Sequence, residues 1–136
     1  MSLIEVEKAM FAAVVAALPD VAFEYPNSPF AKPTDGSKYG LLHFVHGSAD
    51  AFSLGSEGTD EHTGFVQLDM SYPLDIGWQD AASDFDELTA SCTRGTTYQS
   101  GGQVVRAQKC LRSVGKREDD RYRVTFTIYW WTEIER

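Results

Sequence analysis

Three histidines are the first residues to consider for chemistry, because imidazole nitrogen is a common ligand of zinc and other transition metals. His43 and His46 lie three residues apart in a segment predicted to be a strand, so their side chains should point to opposite faces. His62 is predicted to lie in a loop. No cysteine or carboxylate completes a ligand set at a fixed spacing. We therefore predict no metal site.

Nucleophilic chemistry has no better support in the sequence. Ser53-Leu54-Gly55-Ser56 lacks the strand-to-helix elbow that exposes a hydrolase serine. Cys92 falls on the apolar stripe of a predicted helix, where a thiol is usually inert, and Cys110 lies in a predicted strand. Packed, reduced thiols are favoured, and a disulfide between them is the alternative. The glycines between residues 55 and 64 are not followed by the Lys-Ser/Thr of a phosphate loop. The sequence predicts no catalytic residue and no cofactor.

Charged residues are unevenly distributed along a chain of net charge −8. Residues 1–93 contain 15 acidic and 3 basic residues, whereas residues 94–136 contain 9 basic and 5 acidic residues. The acids of the second predicted helix, including Asp84, are expected to form a solvated face. The net charge argues against nonspecific binding of nucleic acid, and the basic residues are more typical of a shielded edge strand than of a phosphate site. Chance clustering of surface charge is the simpler interpretation of this distribution, and contact between the acidic part of one copy and the basic part of the next is the alternative.

Hydrophobic periodicity predicts the elements that carry these residues. A first predicted helix begins with a capping box of Ser2 and Glu5 and ends at Pro19-Asp20. A second predicted helix runs from Trp78 to Cys92 and has one apolar stripe, which contains Trp78, Phe85, Leu88 and Cys92. The predicted strands are Val21–Tyr25, Tyr39–Val45, Gly64–Leu74, Gln103–Leu111 and Arg121–Trp131. The second of these strands should be buried on both sides. Gly47–Thr63 is predicted to be the longest loop, and Val114–Asp120 a charged turn.

This order of elements predicts one α+β domain over residues 1–136, with a mostly antiparallel sheet and two helices packed on one face. The last two strands should pair as a hairpin. No apolar run approaches the roughly 18 residues of a membrane helix. Acidic residues and Lys8 precede the longest apolar run, which argues against a signal peptide.

Several segments together resemble a known family. A helix is followed by Tyr25-Pro26-Asn27-Ser28-Pro29-Phe30, then a strand, a Gly/Ser-rich loop and the strand Gly64–Pro73. A helix introduced by Gly77 and ending near Cys92 comes next, and the chain closes on an aromatic strand. This arrangement resembles the small tail-terminator proteins of long-tailed phages and of prophages in bacterial genomes.

The resemblance implies a structural protein without enzymatic activity, assembled in the bacterial host cytoplasm into the virion tail. It implies a ring, usually a hexamer, that caps the tail tube, stops its growth and offers a surface to the head connector. The partners would be other copies of the chain, the tail tube protein and a connector protein, with DNA passing through the ring. Another phage neck component, or a small ligand-binding α+β domain, are the alternative interpretations.

A head-to-tail contact between copies would use residues from both charge regions and from the loops. The expected basic residues are Arg106, Arg112, Lys116 and Arg117. The expected acidic residues are Asp50, Glu57, Asp60 and Glu61, and the expected apolar residues are Phe30, Phe52 and Leu54. Exposed ion pairs contribute only about 0–1 kcal/mol each, so the apolar residues would have to supply most of the affinity.

Overall fold

A computed structural model describes residues 3–136, which form two helices and seven strands. The helices are α1 (Leu3–Ala17) and α2 (Gln79–Ser91). The strands are β1 (Ala22–Glu24), β2 (Tyr39–Ala51), β3 (Thr59–Pro73), β4 (Thr97–Ser100), β5 (Gln103–Arg112), β6 (Lys116–Glu118) and β7 (Arg121–Glu135).

All the strands belong to one sheet in the order β1-β2-β3-β7-β5-β4, with β6 pairing to the first residues of β7. β1 is parallel to β2, and the other pairs are antiparallel. β3 and β7 pair along their whole length, from Thr59 opposite Glu135 to Pro73 opposite Arg121. At about 3.3 Å per residue this ladder is about 45 Å long. We call its Thr59–Glu135 end the tip end and its Pro73–Arg121 end the base end.

Alternation along β3 and β7 divides the sheet into an inner and an outer face. Val66, Leu68, Met70, Phe126 and Ile128 point inward and are fully buried. Both helices pack on this inner face and contribute to the same core. In that core the Phe85 ring of α2 lies 5.3 Å from the Phe126 ring. The α+β prediction, with both helices on one face and β5 pairing to β7, is confirmed.

The prediction of a loop over Gly47–Thr63 is largely wrong. β2 continues to Ala51 and β3 begins at Thr59, which leaves a turn of residues 52–58. The register shifts between His46 and Ser48, so a bulge absorbs Gly47 and the pairing continues beyond it. Polar composition suggested a loop, but pairing of β3 with β7 extends the ladder past the core.

Other elements differ from the predictions in smaller ways. Trp78 precedes α2 and is 63% exposed, so it does not belong to the helix stripe. Asp84 is 5% exposed and is not part of a solvated face. β2 is buried mainly on its inner face. On its outer face Tyr39 is buried beside Phe30, whereas Leu41 and Val45 remain half-exposed. The short strands β4 and β6 were not predicted. The predicted capping box depends on Ser2, which lies outside the described residues.

Candidate functional site

The three histidines occupy two different places on the sheet. His62 lies in β3 opposite Ala49, and not in a loop as predicted. Its Nδ1 is 2.9 Å from His46 Nε2, and the two rings stack with centroids 5.0 Å apart. His43 points to the outer face, where Nε2 is 3.3 Å from Asp69. Among the described residues, no group of three or more histidine, cysteine, aspartate or glutamate side chains could hold a metal ion.

Both cysteines are free thiols on the inner side of the sheet. Cys110 Sγ lies 3.6 Å from the carbonyl oxygen of Cys92 and donates to it. Cys92 is 1% exposed, so solvent and substrates do not reach its sulfur. Hydrogen bonding between the thiols lowers the pKa of Cys92 and raises that of Cys110. Such a buried pair fits a packing role.

The tip end carries a dense acidic row. Asp50 pairs directly with Glu61, and Glu61 pairs with Glu133 of β7, so the three carboxylates lie side by side on the outer face. Like charges at opposed strand positions are destabilising. In the turn beyond this row, Phe52 is 60% exposed and Leu54 is 94% exposed. We call this surface, with Glu57 in the same turn, the acidic tip.

Arg136, immediately after β7, holds the turn of the acidic tip in shape. Its guanidinium donates to the carbonyl oxygen of Gly55, at 3.0 Å from Nε and 2.6 Å from Nη2. It also donates to the carbonyl oxygen of Ser53 and to the carboxylate of Asp60. A further bond, from the Thr59 amide to Ser53 Oγ at 2.8 Å, closes the turn. Asp60 is therefore neutralised within its own chain, and the turn is fixed before any partner binds.

The base end presents basic side chains around exposed apolar ones. Trp78 is 63% exposed and Val114 is 91% exposed, and Ile76 is 45% exposed nearby in sequence. We call this surface, with Arg112, Lys116 and Arg117, the basic base.

Two clefts at the basic base share Trp78 and Tyr122 as walls. The first has a volume of about 260 Å³ and is lined by Pro73, Leu74, Asp75, Gly77, Trp78, Arg117 and Tyr122. The second has a volume of about 250 Å³ and is also lined by Arg112 and Val114. Arg117 donates to Asp75 across 2.6 Å on the rim of the first cleft. Both partners are more than 60% exposed, so this pair contributes at most about 1 kcal/mol and can exchange.

The predicted contact residues divide between the two ends, with two exceptions. Arg106 does not join the other basic residues, because it pairs with Trp131 near the tip end and its guanidinium lies 4.9 Å above that indole ring. Phe30 is half-buried, with its ring 5.8 Å from Tyr39, so only part of its side chain is open to a partner.

Sequence reasoning missed several members of both surfaces. Trp78 was assigned to the core, Glu133 and Val114 were not selected, and no pattern in the sequence marked Arg136 as the residue that holds the turn. Cross-strand register places Glu133 beside Glu61, whereas the segments before α2 and after β5 bring Trp78 and Val114 to one cleft, and both are tertiary properties.

A third cleft, of about 390 Å³, lies on the outer face at the base end. Its lining is of mixed charge, with Lys32, Lys116 and Arg123 beside Glu24, Asp69 and Glu118. The inner face, where a ligand pocket between sheet and helices would have to lie, is occupied by fully buried side chains. Neither helix within residues 3–136 has the length and apolar character needed to span a membrane.

The chain is an α+β protein with exposed apolar side chains beside charges of opposite sign at the two ends of one sheet. The family model described as phage tail terminator protein matches residues 5–130, and the chain belongs to this family. It is therefore a structural component of a phage tail.

Comparison with solved structures supports the fold. One solved structure is similar to the chain with a TM-score of 0.76 and 18% sequence identity, over 97% of this chain and 96% of the other. At that identity the likeness shows a shared fold alone. The search of curated proteins found no match.

Proposed function

We propose that the chain assembles head to tail into a hexameric ring, which caps the tail tube, stops its growth and presents a joining surface to the head. The observation that carries this proposal is the placement of the acidic tip and the basic base at opposite ends of the β3–β7 ladder, about 45 Å apart. Two complementary surfaces on opposite ends favour a heterologous contact, which closes into a ring when its rotation allows.

The strength of such a contact depends on its apolar side chains. The exposed acids and bases contribute about 0–1 kcal/mol for each pair, so they select the orientation of the copies. Phe52 and Leu54 at one end, and Trp78 and Val114 at the other, offer the apolar area. Because this area is modest, we expect a monomer in dilute solution and ring formation on the end of a tail tube.

A ring at the end of the tail tube would have further partners besides copies of this chain. One side would contact the tail tube protein and the other a head–tail connector protein, with DNA passing through the centre. The net charge of −8 on each copy would limit adhesion of that DNA to the ring. Assembly would take place in the bacterial host cytoplasm, where tail tubes are built.

Sedimentation at rising protein concentration, with and without purified tail tubes, tests this function. We expect self-association that weakens with salt, and binding to tube ends that prevents further growth. A chain that stays monomeric at every concentration and never binds tubes would contradict the proposal. Binding to purified connectors but not to tubes would instead identify another neck component.

A further inference from the structure

We propose that Leu54 of one copy inserts into the Trp78 cleft of the next copy, and that this is the central contact of the assembly. The inference rests on the proposed ring and names its surfaces and partner, a second copy of this chain. It concerns the turn of residues 52–58 and the cleft of about 260 Å³ at the basic base.

The inserting side chain is already prepared for burial. Leu54 is 94% exposed at the end of the turn, the highest exposure among the large apolar residues described. Arg136 and Ser53 hold the turn by hydrogen bonds to its backbone, so little conformational entropy remains to be lost on docking. An exposed leucine on a rigid turn is a suitable anchor for a partner pocket.

The receiving cleft has the size and lining for one side chain. Its volume of about 260 Å³ lies below the roughly 300–1,000 Å³ of small-molecule sites. Its walls are largely apolar, from Pro73, Leu74, Trp78 and Tyr122. Burial of Leu54 there would also cover part of the Trp78 indole, whose exposure is otherwise unexplained by the fold.

Charge selects which surface enters this cleft. Arg117 lies on its rim, and Arg112 lines the neighbouring cleft. Glu57 stands in the same turn as Leu54, and the acidic row of the tip follows behind it. Arg117 is paired with Asp75 on the rim, but both side chains are largely exposed, so Arg117 can exchange Asp75 for an acid of the next copy. A second copy therefore meets the cleft with opposite charge, and the repulsion among its own tip acids is relieved on docking.

Tip and base are different surfaces at opposite ends of the sheet, so the contact is heterologous when copies follow one another head to tail. In that arrangement each docking event leaves one tip and one cleft free. The series of copies closes into a ring when the rotation between them allows, whereas an antiparallel pair that satisfied both contacts at once would stop at a dimer.

Two single variants and their mixture test the contact. Leu54→Asp and Trp78→Ala each change an exposed residue, so the folded chain should be retained, as checked by circular dichroism. We expect each variant alone to form at least tenfold fewer rings on tail tubes than the wild type. An equimolar mixture should give dimers and no rings, since it contains one intact tip and one intact cleft per pair. Ile4→Asp, at a residue 58% exposed on α1, is the matched control and should form rings normally.

A charge exchange provides an independent measurement. Glu57→Arg and Arg117→Glu should each weaken ring formation, and the double variant should recover it because each copy then meets a reversed partner. Glu87→Arg, on the exposed side of α2, is the control for charge alone.

These experiments distinguish failure of the proposed Leu54–Trp78 contact from failure of the proposed function. Rings that persist in both Leu54→Asp and Trp78→Ala would overturn the contact and leave the proposed function intact. Loss of tube binding by Leu54→Asp, with ring formation retained, would assign the tip to the tail tube protein and also overturn the contact. A wild-type chain that neither associates nor binds tubes would overturn the function itself.

Discussion

Tyr72 donates its hydroxyl proton to the carboxylate of Asp84 across 2.8 Å, joining the end of β3 to the middle of α2. Lys38 Nζ lies 3.1 Å from both oxygens of the same carboxylate. Burial, reinforced by the adjacent carboxylate, raises the pKa of Tyr72 well above its usual range, so it remains a donor. The network fixes the segment before β2 and the middle of α2 relative to the sheet.

Asp84→Ala should lower the free energy of unfolding by about 3 kcal/mol, because it leaves a buried hydroxyl and a half-buried ammonium without their partner. Urea unfolding measures the change. Asp86→Ala, at an exposed position of the same helix, should stay within about 0.5 kcal/mol of the wild type. Equal losses in the two variants would show that the network does not stabilise the fold.

Phe126→Ala should lower the free energy of unfolding by about 3–5 kcal/mol, because it opens a cavity at a fully buried position against Phe85. The neighbouring outer-face variant Thr127→Ala is the control and should have a much smaller effect. An unfolding midpoint unchanged by Phe126→Ala would contradict the assignment of the core to the inner face.

The fold class was predictable because its signals are periodic. Alternation in β3 and β7 and the stripe of α2 identify which side chains are buried, and those assignments hold for Val66, Leu68, Phe126 and Leu88. The exceptions have local causes. Asp84 is acidic yet buried, since Tyr72 and Lys38 satisfy its oxygens, and a sequence pattern does not show partners so distant in the chain.

The candidate surfaces were predictable only as groups of charges. Residues 1–93 and residues 94–136 have net charges of opposite sign, but the sheet register decides which charged side chains meet. Register placed Arg106 beside Trp131 near the acidic end, against the prediction, and added Glu133 to the acidic row. The anchoring role of Arg136 had no signal in the sequence, because a single arginine contacts backbone oxygens of a turn 81 and 83 residues away.

Amide hydrogen exchange should separate the turn from the strands that carry it. The Gly- and Ser-rich composition of residues 48–61 is typical of a mobile loop, but residues 48–51 and 59–61 are paired in β2 and β3. We expect slow exchange in those strand residues and at the bonded amides of Phe52, Ser53, Gly58 and Thr59, and fast exchange only at residues 54–57. Arg136→Ala should extend fast exchange along residues 52–60, since it removes the bonds to Ser53, Gly55 and Asp60. Exchange in the turn that is unaffected by Arg136→Ala would contradict its role in holding the tip.

The stacked pair of His62 and His46 should make stability depend on pH. Burial and the neighbouring imidazole of His46 lower the pKa of His62 below 6.5, while Asp60 opposes the shift. Below pH 6.5 the folded chain therefore binds fewer protons than the unfolded chain. The contribution of His62 to the free energy of unfolding is complete above pH 6.5 and is lost as the pH falls through the lowered folded-state pKa. The melting temperature should therefore fall more between pH 7.5 and pH 5.5 for the wild type than for His62→Gln. His43→Gln leaves the His62–His46 contact intact and should keep the wild-type fall. The same fall in His62→Gln as in the wild type would show that this pair does not contribute to the pH dependence.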